Sequence, residues 1–219
     1  PVPAFAVFPK HRKVRRPTRL GLPLIVKSVS EDSSWGISQA SVVDSDEKLA
    51  ERVAFIHQSI GTSAIVERYV EGRELYVGVL GNDQPQALPL VELNLSDLPE
   101  GTPRIAGTEV KWERGTAAYK KTKLRLPDDI PEELVAEIQD TACKACRALE
   151  VRDYARVDLR LKPDGTWYTL EVNPNPWLHS TAEFVLAARQ SGRDQAGLIE
   201  EIALMALARH RRRRARRSH

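Results

Sequence analysis

Tyr154-Ala155-Arg156-Val157-Asp158-Leu159-Arg160, followed by Thr169-Leu170-Glu171-Val172-Asn173-Pro174-Asn175-Pro176, decides how this chain is read. Both stretches alternate apolar and polar residues, the period of a half-buried β-strand. Lys162-Pro163-Asp164-Gly165 lies between them, and Pro, Asp and Gly are turn formers. The pair therefore reads as a hairpin. A two-residue or four-residue loop sets Asp158 opposite Glu171 and Arg156 opposite Asn173, whereas a three-residue loop with a bulge breaks that alignment. Facing carboxylates repel one another across a sheet, and a cation between them removes the repulsion. The ligand atoms on offer are two carboxylates and an amide oxygen, a hard set that suits Mg²⁺ or Mn²⁺ bridging to a phosphate rather than zinc. The alternative is a surface hairpin with solvated acids. The metal reading requires both acids on the same side of their sheet.

At 219 residues the chain is long enough for one large core or two smaller lobes. It has no apolar run of membrane-spanning length. The N-terminus, Pro1-Val2-Pro3-Ala4-Phe5, lacks the basic start of a signal peptide and reads as a chain cut from something longer. Cys143 and Cys146 form a single CxxC within a helical pattern and read as ordinary helix residues of a protein in a reducing cytoplasm. The formal net charge of +3 conceals an arginine-rich tail running from Arg209 to Arg217, without which the rest is net acidic. The body is thus no nucleic-acid-coating protein. The tail, residues 210–219, reads as disordered and solvated, or as a nonspecific contact for nucleic acid or anionic lipid.

Along the chain, residues 9 to 20 read as a basic connector, and Leu22 to Lys27 as a short buried strand. A Ser-rich loop follows to Ser38. Asp44 or Ser45 caps a helix to about Ile60, which Gly61 stops. Strands are expected over 64–70, 74–80 and 86–93. Residues 94 to 128 lack periodicity and read as a lid. Pro131 opens a helix to Leu149, and two helices near 181–191 and 195–209 follow the hairpin. The order suggests an α+β fold with antiparallel strands and helices on one face.

Lys27 ends its strand beside serine hydroxyls, which suits either a grip on phosphate or a lysine reaching solvent from a strand end. Glu67 to Glu74 joins two strands through a Gly turn, and reads either as a platform for a base and sugar or as an ordinary tight hairpin.

Taken in order, Pro23-Leu24-Ile25-Val26-Lys27, Asp32-Ser33-Ser34-Trp35-Gly36-Ile37-Ser38, Val66-Glu67-Arg68-Tyr69-Val70-Glu71-Gly72-Arg73-Glu74, Tyr154-Ala155-Arg156-Val157-Asp158 and Leu170-Glu171-Val172-Asn173-Pro174-Asn175-Pro176 resemble the ATP-grasp superfamily, and most closely its D-alanine–D-alanine ligase branch, from about Pro1 to Arg209. The resemblance implies two antiparallel-sheet lobes with flanking helices gripping ATP between them: a small one over 1–70 and a large one, with the metal site, over 71–209. It implies that Lys27 contacts the α- and β-phosphates and that Ser33, Ser34 and Gly36 close over the triphosphate. Glu67, Arg68, Tyr69 and Val70 would hold adenine, and Glu74 the ribose. Asp158, Glu171 and Asn173 would bind Mg²⁺, or Mn²⁺ in its place. Arg156 and the lid residue Lys111 would stabilise the transferring phosphoryl group. The implied reaction activates a small carboxylate as an acyl-phosphate, which an amine of an amino acid or peptide attacks. The alternative is a non-catalytic ATP-binding module. The resemblance departs from the branch at three points: its N-terminal lobe is absent, Trp177 stands where a glycine is usual, and Ala182-Glu183 stands where Ser-Leu is usual. D-alanine is therefore not assigned as the substrate.

Overall fold

The structure is a computed structural model that describes residues 1–31, 34–99, 101–107 and 122–217. It divides into two compact units, residues 1–72 with 94–123, and residues 73–93 with 124–219. Of the segment expected in a second domain from 71 on, the described residues 94–99, 101–107 and 122–123 cluster with the first unit.

The first unit is built on a four-stranded antiparallel sheet of β1 (Phe5–Phe8), β2 (Leu24–Ser28), β3 (Val42–Val43) and β4 (Ala64–Arg68), in the order β1-β4-β2-β3. Strand alternation sends Phe8, Leu24, Val26, Ala64 and Val66 to one face, where they pack with Leu49, Val53 and Ile56. Leu49 and Val53 belong to α1 (Asp46–Phe55). The side chain of Ser45 caps this helix by accepting the Lys48 N–H at 3.2 Å, and Asp46 and Glu47 favour the positive end of the helix dipole. A π-helical turn, Ile56–Ile60, extends it to Gly61, whose φ of 85° ends it as the sequence implies.

The second unit holds a larger sheet ordered β10-β9-β5-β7-β8, with β6 also on β5. Its strands are β5 (Arg73–Leu80), β6 (Gln86–Ala87), β7 (Val91–Asn94), β8 (Lys123–Arg125), β9 (Tyr154–Leu161) and β10 (Trp167–Asn173). The single strand expected over 86–93 is two pieces, with Pro89, which has no N–H for the ladder, between them. Strand β8 is a further departure, since it lies in the stretch that lacked periodicity and read as a lid. Leu75, Val77, Val79, Ala155, Val157 and Leu159 form one face and pack on Ile138, Ala142, Cys143 and Cys146 of α2 (Glu132–Ala148). Both cysteines are buried and free, and burial pushes the Cys146 thiol up to about 11.

The opposite face of β5 and β9 is polar. Register sets Glu74 against Arg160, Tyr76 against Asp158 and Gly78 against Arg156. The next helix, α3 (Glu183–Gln190), lies against β5. A Cβ on Gly78 would stand 2.8 Å from Leu88 Cδ1 and 3.1 Å from the Phe184 ring. The missing side chain is thus what lets α3 approach and brings its first residue, Glu183, near Arg156. We expect Gly78→Ala to lower stability by about 1–3 kcal/mol, read as a lower urea midpoint at unchanged m-value.

Helix α4 (Gln195–Arg217) corrects the reading of the tail as disordered from residue 210. Arg209 Nη2 donates to Asp153 Oδ2 at 2.6 Å and Arg212 Nη1 to Asp83 Oδ2 at 2.6 Å. Such long-range anchors are invisible in a run of like charges. Burial acts to raise the Asp153 pKa, but the Arg209 and Asn82 hydrogen bonds outweigh it and hold the carboxyl below its usual range. A carboxyl depressed on folding stabilises above its unfolded pKa of about 3.9 and stops doing so as pH falls through the lower folded value. Acidification below about pH 4 should therefore loosen this anchor, visible as lost amide-exchange protection in α4 that Asp153→Asn removes already at neutral pH. Among the described residues no helix is long and apolar enough to cross a membrane.

Candidate functional site

The β9–β10 hairpin reaches the expected pairing by an unexpected route. Its connection is the three-residue kind: Lys162 N–H donates to Thr166 O at 2.8 Å, and Gly165 takes the left-handed φ of 82°. That turn pairs Leu161 with Trp167 and Leu159 with Thr169, a register that would bring Leu170 to Asp158. A β-bulge between Thr169 and Glu171 absorbs one residue. Beyond it Glu171 faces Asp158, and Asn173 faces Arg156. Directly opposed residues of an antiparallel pair share a face, so the polar face of β9 and β5 continues onto β10.

Buried ion pairs organise this face. Arg156 donates from Nε to Asp158 Oδ1 at 2.6 Å and from Nη2 to Asp158 Oδ2 at 2.8 Å, a bidentate fork. Its Nη1 reaches Glu183 Oε2 at 3.3 Å, and the guanidinium lies over the Tyr76 ring, 4.9 Å from the centroid. Arg160 Nη2 donates to Glu74 Oε2 at 2.6 Å, while Tyr76 O–H donates to Glu74 Oε1 at 2.8 Å. Arg156 is only 7% exposed and Asp158 4%. Burial alone would lower the Arg156 pKa, but the Asp158 carboxylate more than offsets it and the net shift is upward. Burial, reinforced by Glu74, raises the Tyr76 phenol well above its ordinary value, so it stays a neutral donor.

Sequence reasoning named Arg156, Asp158, Glu171, Asn173 and Glu74 but missed Tyr76, Arg160 and Glu183 as partners. The first two carried a signal, since Tyr76 follows Glu74 and Arg160 follows Asp158 at the two-residue spacing of one strand face. Glu74, expected at the ribose, has both carboxylate oxygens engaged inside the network. Asn173 Oδ1 accepts the Asn175 N–H at 3.1 Å.

In the first unit, Glu67 sits opposite both Phe5 and Ile25, and Lys27 lies one pleat along the same face. Lys27 Nζ meets Glu67 Oε2 at 2.5 Å. Phe5 and Val7, on that face, are roughly half exposed. The Lys27–Glu67 pair is therefore set among Phe5, Val7, Ile25 and Ile65 on this face. The backbone amides of Arg68 and Tyr69 donate to Ala4 O at 2.8 Å and Pro23 O at 3.0 Å. Tyr69 O–H accepts the Arg104 N–H at 3.1 Å, Val70 is buried, and the Arg68 side chain is exposed. The Ser-rich loop is pinned: Ser34 Oγ donates to Ala106 O at 2.8 Å, and Gly36, at φ 75°, offers its carbonyl to Arg52. Ser33 and Lys111 lie outside the described residues.

Among the described residues no three His, Cys, Asp or Glu side chains converge as a metal cage. The expected set is smaller, two acids and an amide. Each Asp158 oxygen keeps a second lone pair beyond the one Arg156 uses, so the donor chemistry on this face fits a hard divalent ion whose remaining ligands come from phosphate and water.

A family model described as D-ala D-ala ligase C-terminus matches residues 1–204. An uncharacterized protein of Sinorhizobium fredii is 33% identical over 97% of this chain and 59% of its own length. The D-alanine–D-alanine ligase of Desulforudis audaxviator is 32% identical over 85% of this chain and 56% of its own. The chain thus spans somewhat more than half the length of these relatives. Among solved structures, the D-alanine–D-alanine ligase of Bacillus anthracis complexed with ATP superposes with a TM-score of 0.75 at 20% identity, over 97% of this chain and 62% of that one. The ligase of Coxiella burnetii gives 0.75 at 19%, over 98% and 54%. The two antiparallel sheets with their flanking helices are therefore an ATP-grasp fold, and the chain belongs to the D-alanine–D-alanine ligase C-terminal family.

Proposed function

We propose that this chain is the ATP-binding part of an ATP- and Mg²⁺-dependent carboxylate–amine ligase. The observation that carries the reading is the bulge that turns Glu171 and Asn173 onto the face of Asp158 and Arg156. The bulge sets a second carboxylate, the exposed Glu171, across the ladder from Asp158, and a cation between the two would offset their repulsion. Bound there, Mg²⁺ would neutralise phosphate charge and align the phosphates. Asp158, Glu171 and Asn173 would hold it. Arg156 keeps a permanent charge, fixed in place by Asp158 and Tyr76, where negative charge develops on the transferring phosphoryl group. Lys27, held by Glu67, would exchange that partner for phosphate oxygens, freeing the Glu67 carboxylate to accept from an adenine amino group. Tyr69 and Val70 would border the base, Glu74 would serve the ribose through the oxygen lone pairs its partners leave, and Ser33, Ser34, Gly36 and Lys111 would border the triphosphate. The amine and carboxylate substrates are small molecules of amino-acid or peptide type. The reading sets the protein in the cytoplasm, in keeping with its two unpaired thiols.

Titration with a non-hydrolysable ATP analogue tests this directly. Saturable binding strengthened by Mg²⁺ is expected, and binding indifferent to Mg²⁺ ends the proposal. The relatives' greater length favours a second reading, in which the chain binds nucleotide but turns over only alongside a further segment. Firm binding with no ADP release across a panel of amino acids selects it. In either case Lys27→Ala should weaken the analogue by roughly 10-fold, about 1.4 kcal/mol for one lost charge-assisted contact.

A further inference from the structure

On the polar face of the large sheet two carboxylates stand outside the two closed arginine pairs: Glu171, which the metal reading engages, and Glu183. Arg160 is matched by Glu74 and Arg156 by the bidentate Asp158. Glu183 is left with a single contact of 3.3 Å to Arg156 Nη1, and among the described residues it has no other hydrogen-bond or ion-pair partner. Its side chain is 19% exposed against 9% for Arg156, so the carboxylate stands at the rim of the buried network with solvent access. It is placed there by the first turn of α3, which Phe184 seats in the gap left by Gly78.

From this surplus charge beside Arg156 we infer that Glu183 receives the ammonium group of the acceptor substrate. The acceptor would then be an amine without a free carboxylate next to its nitrogen, such as an amino-acid amide, an ester or a peptide N-terminus. The inference rests on the ligase reading and deepens it. If Arg156 lies where the phosphoryl group is transferred, a group held by Glu183 lies beside the reacting atoms. An ammonium pairs with the free side of the Glu183 carboxylate, which also accepts the nitrogen's surplus proton as the amine becomes nucleophilic: R–NH₃⁺ and carboxylate become R–NH₂ and carboxylic acid. A substrate carboxylate on the adjacent carbon would sit close enough to Glu183 for the two like charges to repel in this partly buried site. Arg156 already carries the charges of Asp158 and Glu183, so a further carboxylate would add to a net negative cluster.

The probes are alaninamide and alanine, titrated by ligand-observed NMR into the full chain loaded with the ATP analogue and Mg²⁺. Alaninamide should bind at least about 10-fold more tightly than alanine, a difference of about 1.4 kcal/mol. Glu183→Gln should erase the preference, with a thermal melt confirming that the variant is folded; Glu183→Asp, which keeps the charge, should retain part of it. Equal binding of the two probes to the parent chain overturns the inference while leaving the ligase reading intact. So does a Glu183→Gln variant that loses Mg²⁺-dependent nucleotide affinity, since Glu183 would then be serving the metal. A parent chain that binds no nucleotide sinks the ligase reading and this inference with it.

Discussion

Replacing Arg156 by Met will destabilise the unit built on the large sheet by roughly 3–5 kcal/mol, the loss typical of stranding a buried charge. Asp158 is 4% exposed and takes two of its hydrogen bonds from this one guanidinium, and Glu183 takes from it the only one it has among the described residues. Without Arg156 both acids must stay charged in a poorly solvated place or take up protons. The second course makes the variant's stability depend on pH: deprotonating a carboxyl whose folded pKa has risen is unfavourable, so the loss should be largest near neutrality and shrink as the pH falls toward the raised value. The double variant Arg156→Met with Asp158→Asn removes one charge of each sign and should recover much of the loss, giving a coupling energy of about 1–3 kcal/mol in a double-mutant cycle. Urea unfolding of the four proteins measures it. A coupling near zero would mean that water, rather than the guanidinium, solvates Asp158.

Asp158→Asn combined with Glu171→Gln should abolish the Mg²⁺ dependence of nucleotide binding, weakening the Mg²⁺–analogue complex on the order of 100-fold, the upper range for damage to a metal's supporting groups. The sizes of both side chains are kept. The amide that replaces the Asp158 carboxylate can still accept from Arg156 through its one oxygen, so part of the buried fork survives. The metal contribution is isolated by comparing affinities with Mg²⁺ and with EDTA. The parent should show a large difference and the variant almost none. If the difference persists, the opposed acids are not its source, and the bulge that aligns them has some other purpose.

How much of this was legible beforehand follows from the range of the forces involved. Alternation over 154–160 and 169–173 announced two strands, because the period of a strand is written in consecutive residues. Gly61, with Asp44 or Ser45, announced the limits of the helix that α1 and its π-turn form, because a cap acts within four residues of itself. The pairing of Asp158 with Glu171 was also expected, yet for the wrong loop. Gly165 in the left-handed conformation sets a three-residue turn, and the compensating bulge at Leu170 has no local signature. The tail shows the opposite failure. Seven arginines in a short stretch read as mutually repelling and disordered, whereas Asp153 and Asp83, distant in sequence, hold Arg209 and Arg212 on a continuous helix.

The sequence by itself determined the helices and the longer strands, the acids and the lysine that suggest nucleotide and metal, and the family to which their order belongs, since each of these is carried by neighbouring residues or by their succession. Only the tertiary structure decided which charges meet. Glu74 finds Arg160 across 86 residues, and Glu183 finds Arg156 across 27. The physical reason is that burial strips water from a charge and obliges it to take whatever opposite charge the fold brings near. That choice depends on sheet register and on a helix seated against a glycine, and neither can be read from the residues on either side of the pair.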